Sequence, residues 1–179
     1  LNEDNIRASL QIQKTRSMID ETMTNVRRIS RDLVPTTLDR FGLLAALEEL
    51  ADRANDGELD VQLDCPESIN QLPSSIDLML YRIAQELVNN AIRHARARHI
   101  TIQIVCHSDN IRLSVLDDGV GFDFDAVTEN ERGGLGLRNI ESRLSVVNGH
   151  ATFDVAPGRG SQIHIQIRLQ HPQPATLVS

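Results

Sequence analysis

The run Ile111-Arg112-Leu113-Ser114-Val115 alternates apolar and polar residues and, through Leu116, empties directly into Asp117-Asp118-Gly119-Val120-Gly121. Period-two alternation predicts a strand with one buried face, and the acid–glycine run predicts that the strand stops abruptly at a turn. A second glycine cluster, Gly133-Gly134-Leu135-Gly136-Leu137, opens a segment whose apolar residues Leu137, Ile140, Leu144 and Val147 recur at helical spacing. Upstream, Pro73 is followed by Ile76, Leu80, Ile83, Leu87, Ala91 and Ala95, a stripe that predicts a long helix with Ser74 or Ser75 as its cap. A chain that places a strand end, a glycine-opened helix and a long amphipathic helix in this order must pack helices against a sheet.

The remaining pattern fills in that layer. Residues 59–63, 100–105, 151–155 and 161–167 read as further strands, and Ser108-Asp109-Asn110 reads as a hairpin turn between the second strand and the third. Residues 43–55 read as a helix, Thr36 through Gly42 as a connector, and residues 122–132 as a short polar loop. The strands are mainly hairpin-linked, without regular βαβ alternation. The expected fold class is therefore α+β, a two-layer sandwich of helices on one face of a mixed sheet.

Residues 1–34 contain neither Gly nor Pro, and Ile12, Ile19, Val26 and Leu33 recur every seven residues. So narrow a seam suits a coiled coil or helical bundle, whereas a helix packed on its own domain carries a wider stripe. The chain opens at Leu1 in mid-pattern without a methionine, which reads as an excised fragment with any sensing or membrane segment upstream. The tail from about residue 170 holds two prolines and little pattern, and is expected to fray.

Charge and composition exclude several functions. A formal net charge of -7 argues against nucleic-acid binding, whose footprint is basic. With no Trp and one Tyr, base-stacking platforms are not expected. Cys65 and Cys106 stand alone and read as free thiols of a reducing compartment. No pair among the six histidines has zinc-type spacing, no leader-like segment is evident, and no stretch approaches the roughly 20 apolar residues of a membrane span. The cluster of Arg93, Arg96 and Arg98 suits either a solvated helix end or a phosphate-facing role.

The motifs converge on a nucleotide pocket. Asp117, ending a strand, can aim its carboxylate into a pocket and accept from an exocyclic amine, or can simply start an Asp-Gly turn. Gly119 and Gly121 permit close approach of backbone to ligand. Free N–H groups at Gly134 and Gly136, just before a helix, suit an anion, though a plain hinge uses glycines too. Glu86 and Asn90, spaced i and i+4, share a helix side with Arg93, and His94 lies one turn beyond Asn90. Asn90 offers a carboxamide oxygen for magnesium, and Glu86 a general base or water-orienting group. There is no G-x-x-x-x-G-K-[ST] loop, so a nucleotide here is held without a P-loop lysine.

Taken together, these residues resemble the C-terminal part of bacterial two-component sensor histidine kinases, in the subfamily of the nitrate sensors and the thermosensor DesK. The run from Glu86 to Ala95 is similar to that family's N box. Asp117-Asp118-Gly119-Val120-Gly121 is similar to its first glycine box and Gly134-Leu135-Gly136-Leu137-Arg138 to its second. Gly158-Arg159-Gly160-Ser161 stands where a final Gly-x-Gly-Thr is usual, with the hydroxyl kept. The Leu33-Val34-Pro35 and Leu38-Asp39-Arg40-Phe41-Gly42-Leu43 runs resemble the end of the second dimerisation helix and its junction.

The resemblance implies a Bergerat-type (GHKL) ATP-binding domain over residues 41–170, a partial dimerisation helix over 1–40 and a flexible tail over 171–179. It implies ATP and Mg2+ as cofactors, with Asp117 at the adenine amine, Asn90 on magnesium and Glu86 as activating base or polar helper. Arg93 and His94 would meet phosphates or the lid formed by residues 122–132. Gly119, Gly121, Gly134, Leu135, Gly136, Leu137 and Ser161 would shape the pocket. The implied partners are the protein's own upstream phosphoacceptor helix, a response regulator and a second copy in the full-length protein. The implied location is cytoplasmic, or the cytoplasmic portion of a membrane-anchored sensor. None of the six histidines has the context of the family's phosphoacceptor, so the acceptor is expected outside this chain. A same-fold serine kinase or ATPase, and a non-catalytic ATP-sensing module, are the alternatives.

Overall fold

The computed structural model describes residues 35–66, 69, 72–107, 109–129 and 135–169. The heptad seam before Pro35, Gly133, Gly134 and the tail beyond residue 169 lie outside the described residues. Helix α1 spans Thr36–Ala54, β1 Asp60–Asp64, α2 Ser74–Asn90, β2 His99–Cys106 and β3 Asn110–Asp117. Two further helices, α3 (Phe124–Glu129) and α4 (Leu135–Ser145), precede the closing hairpin of β4 (His150–Val155) and β5 (Ser161–Arg168).

Among the described residues five strands form one sheet, in the order β1-β2-β3-β5-β4. Strands β1 and β2 run parallel and every other pairing is antiparallel, which gives the mixed sheet expected. Alternation decides which face is covered. Ile100, Ile102 and Ile104 of β2, Ile111, Leu113 and Val115 of β3, and Ile163, Ile165 and Ile167 of β5 are all buried. Each such side chain contributes about 1.5–3 kcal/mol when fully buried. The alternate residues Gln103, Arg112, Gln162 and Gln166 form a polar opposite face.

Helix α2 supplies the other half of the core. All six residues of its predicted stripe are buried, from Ile76 to Ala95, and Tyr81, Ala84 and Val88 widen it. Its cap differs from expectation. Pro73, in an extended conformation, occupies the N-cap, and its carbonyl accepts from Ile76 N at 2.8 Å and Asp77 N at 3.1 Å. Ser74 is thereby drawn into the first turn, and no side chain caps the helix. The helix then continues as a π turn over Ala91–Ala95 and ends at Arg96 in the left-handed region, φ 51°.

Three local readings are corrected. Residues 36–42 are helical rather than a connector: α1 includes them, with a kink at Gly42 (φ 83°), and Leu38 joins Leu43, Ala46, Leu47 and Leu50 in the core. Burial of Leu38 rewards helix formation that local polarity does not announce. The polar loop after Gly121 contains α3, whose first turn Asp123 caps through Oδ1 to Ala126 N at 3.1 Å. Phe124 packs on Phe153 of β4 with ring centroids 4.8 Å apart, which anchors that helix. Finally, β1 and β2 are a parallel pair joined through α2, a crossover the hairpin reading did not include.

Candidate functional site

In β3, Ile111, Leu113, Val115 and Asp117 share the face that meets the helices. Asp117 is the last of them, paired with Ser161 of β5 and Ile100 of β2. Its carboxylate is held on both oxygens. Gly119 N donates to Oδ1 at 2.9 Å and the Ser161 hydroxyl donates to Oδ2. Each oxygen keeps acceptor capacity. The backbone around it is close-packed. Gly160 adopts φ 70°, and a Cβ there would stand 2.1 Å from the Asp117 carbonyl oxygen.

Asp117 lines a cavity of about 430 Å³ together with its neighbour Ser161. Ile163, Leu87, Ala91, Ala95, Gly121, Phe122, Val127 and Leu137 form its apolar walls. Asn90, His94 and Gly136 also line it. Apolar walls with a few convergent polar groups are the usual character of a small-molecule site. Asn90 and His94 come from the end of α2 and its π turn, a local geometry often found at functional positions.

Glu86 sits one turn before Asn90 in an adjoining cleft of about 90 Å³, with Arg82, Gln85, Asn139 and Arg143. Gly136 lines both spaces. A Cβ on Gly136 would lie 2.5 Å from Glu86 Oε1 and 3.4 Å from Asn90 Nδ2, so any larger residue here displaces the Glu86 carboxylate. Helix α3 is tethered to α4 by the Arg138 guanidinium, which donates to the Thr128 carbonyl.

The structure thus brings together Asp117, Ser161, Gly121, Asn90, His94, Gly136 and Leu137, with Glu86 next door. Gly119 does not line the cavity but packs behind it: a Cβ there would be 2.3 Å from the Ala95 carbonyl oxygen. Arg93 is exposed on the π turn and does not line the cavity. Leu135 is the first residue of α4. Of the walls, sequence reasoning named Gly121 and Leu137 and passed over the rest. Phe122 and Val127, apolar residues in a loop rich in acids, were the available signal.

It also passed over Asp118. That carboxylate accepts from Arg98 N at 2.8 Å and His99 N at 2.9 Å through Oδ1, and Oδ2 lies 2.8 Å from the His99 ring Nδ1. The His99 N–H foremost, then its ring, hold the Asp118 carboxyl down to about 2.

Among the described residues no three His, Cys, Asp or Glu side chains cluster in a way that could hold a metal ion. A magnesium ion keeps much of its water and takes few protein ligands when substrate phosphates share it. One carboxamide in a cavity fits that mode. A zinc-type cage does not exist among these residues.

Comparison with known proteins now gives the family. In sequence, the chain is 34% identical over 176 residues to an uncharacterized sensor-like histidine kinase of Chloroflexus aurantiacus, covering 95% of this chain and 30% of that protein. It is 29% identical to the sensor histidine kinase LiaS of Bacillus subtilis, covering 87% of this chain and 42% of the relative. It is 27% identical to the oxygen sensor histidine kinase NreB of Staphylococcus carnosus, covering 87% and 44%. The chain therefore spans less than half the length of these curated relatives. In fold, it is similar to the histidine kinase domain of the Erythrobacter litoralis EL346 blue-light activated histidine kinase, with a TM-score of 0.58, 23% identity, and 70% of this chain and 58% of that one covered. The family profile described as histidine kinase-, DNA gyrase B- and HSP90-like ATPase matches residues 76–171, and the chain belongs to that family.

Proposed function

We propose that this chain is the ATP-binding kinase module of a two-component sensor histidine kinase. It donates the γ-phosphoryl group of ATP to a histidine outside the chain, from which a response-regulator aspartate receives it. The observation that carries this reading is that Asp117 and Asn90 open into one cavity, with Gly136 beside Asn90. Asp117 accepts a hydrogen bond from the adenine amine. Guanine, which presents a carbonyl at that position, would meet carboxylate oxygens instead.

Asn90 would hold Mg2+ through its carboxamide oxygen, and the ion would supply positive charge toward the phosphates. Free N–H groups at the start of α4 face the phosphates. His94 meets them from within the cavity, and Arg93 from the exposed side of the π turn. Glu86, across Gly136 from the cavity, accepts a proton from the incoming histidine or orients it. The histidine nitrogen forms a bond to the γ-phosphorus as the bond to the β-bridging oxygen breaks, and ADP leaves. The protein contributes mainly position and charge.

In the full-length protein the acceptor helix, a second copy and a response regulator are the partners, with this portion in the cytoplasm. No helix among the described residues is long and apolar enough to cross a membrane.

Calorimetric titration with ADP and Mg2+ tests the site. Asp117→Asn is expected to weaken binding at least about tenfold, the value of one good hydrogen bond to a charged group. Asn90→Ala is expected to remove the magnesium-dependent part. Binding unchanged in both variants refutes the assignment. Radiolabelled ATP supplied to a version carrying the upstream helix should give acid-labile label on histidine. Label on a partner's serine instead would indicate a same-fold serine kinase.

A further inference from the structure

Asp118 is a half-exposed aspartate in a sharp turn, yet its carboxylate meets three nitrogens, all on Arg98 and His99. The contacts continue on either side. Asp118 N donates to His99 O at 3.3 Å, Val120 N donates to Ala95 O at 2.7 Å, and Gly119 lies directly against Ala95. Residues 95–99 and 118–120 therefore form a seam joining two chain segments: the one leaving α2 through its π turn, and the one leaving β3.

Each strand of that seam is attached to one part of the candidate site. Asp117 immediately precedes the seam on the β3 side. Asn90 and His94 precede it on the α2 side. Ala95 lies a single π turn beyond Asn90. A small shift at the seam is thus carried to the spacing between Asp117 and Asn90 with little to absorb it.

The chemistry suits a fixed spacer. Exposed ion pairs hold geometry poorly, because two flexible side chains must be ordered together. Here two of the three donors are backbone N–H groups, that of Arg98 just before β2 and that of His99 at its first residue, which β1 pairs. Charge-assisted bonds to such donors are short and directional.

We propose that Asp118 is a positioning residue, setting the distance between the adenine end of the cavity at Asp117 and the Asn90–His94 end. This rests on the nucleotide reading above. It acts through the backbone of residues 95–99 and touches no ligand. A ligand spanning both ends must feel its loss, whereas one that uses only the base end need not.

The experiment compares magnesium–ADP with adenosine on the 179-residue chain and its Asp118→Ala and Asp118→Asn variants. Asparagine retains the Oδ1 acceptor for the Arg98 and His99 amides, so it should rescue. For Asp118→Ala the expected result is about a tenfold rise in the magnesium–ADP Kd, with the adenosine Kd within about twofold of wild type. Asp118→Asn should stay within about threefold for both ligands, the remainder being the lost charge toward His99. Wild-type magnesium–ADP affinity in Asp118→Ala overturns the proposal. So does an equal loss for ADP and adenosine, which is the signature of a generally destabilised fold. Amide hydrogen exchange without ligand provides a second readout: Arg98 and His99 should exchange about tenfold faster in Asp118→Ala, and unchanged exchange overturns the seam itself. Failure of the wild-type chain to bind adenine nucleotides refutes the nucleotide reading instead, and the exchange result still decides the seam.

Discussion

Gly136→Ala isolates what close approach of α4 to α2 does at the site. A glycine in a helix interior loses roughly 0.5–1 kcal/mol relative to alanine, but Gly136 is the second residue of α4, so the gain falls at the low end. Against it stands the contact of the new Cβ, 2.5 Å from Glu86 Oε1. Carbon and oxygen at ordinary packing distance sit near 3.5 Å, so the carboxylate must retreat by about 1 Å. The obstacle is the far end of a half-buried, flexible side chain, and moving it off its rotamer costs about 0.5–1.5 kcal/mol. The two effects nearly cancel, and thermal unfolding should shift by no more than about 3 °C. The site is less forgiving. Displacing a reacting or orienting group by 1 Å costs about 10²-fold in rate, so phosphoryl transfer to an acceptor-bearing version should fall by about that factor while the protein remains folded. Transfer at the wild-type rate would refute the role given to Glu86. A fall of more than about 8 °C in Tm would refute the claim that Glu86 yields, by showing that the backbone moves instead.

Other outcomes follow from the same geometry. Gly160→Ala has no side chain to yield: its Cβ would meet the Asp117 carbonyl at 2.1 Å, and φ is +70°, so a loss of several kcal/mol in chemical denaturation is expected, with ADP binding lost in parallel. Leu80→Ala, at a fully buried position of α2, should cost about 2–5 kcal/mol by the same measurement. In the folded state the bonds from His99 and Arg98 hold the Asp118 carboxyl at about 2, against an ordinary value of 3.8. A depressed carboxyl stabilises the folded state above the unfolded value and loses that contribution as pH falls through the folded one. The stability gap between wild type and Asp118→Asn should therefore be constant above about pH 5 and shrink between about pH 4 and pH 2, and a gap independent of pH across that window would contradict the bonding described. Burial raises both thiols, with the charges of Glu48 and Asp64 adding to the effect at Cys65. Iodoacetamide should accordingly label Cys65 and Cys106 more slowly at neutral pH than a free cysteine, as read by mass spectrometry.

What the sequence made legible was periodic. The stripe from Ile76 to Ala95 is buried at every position named, and the alternation through Val115 aimed Asp117 inward before any strand partner was known. What stayed illegible depends on contacts between distant residues. The pairing of Asp117 with Ser161 spans 44 positions. The π turn at Ala91–Ala95 meets β3's exit through the bond from Val120 N to Ala95 O, which no window of sequence around residue 95 contains. A uniform helix placed Arg93 on the same side as Asn90, but the chain beyond Asn90 is a π turn, and there His94 lines the cavity while Arg93, exposed as His94 also is, does not. Helix α3 was hidden for a similar reason: Asp123 and Thr128 look like loop polarity until Phe124 is seen against Phe153.

Fold and site here obey one constraint. Successive side chains of a strand point to opposite faces, so a one-residue slip of β3 against β5 would expose Ile111, Leu113 and Val115 and turn Asp117 to the polar face with them. The hydrophobic effect that fixes the register of three apolar residues therefore also fixes the direction of the fourth, polar one. Asp117 escapes the burial of its neighbours because the strand ends there, where the core gives way to the cavity lined by Ala91 and Ala95. A carboxylate two residues earlier, at Val115, would be trapped in the core, and one residue later it would face solvent as Asp118 does. The last inward position of the strand is where core packing can aim a charged group without burying it completely.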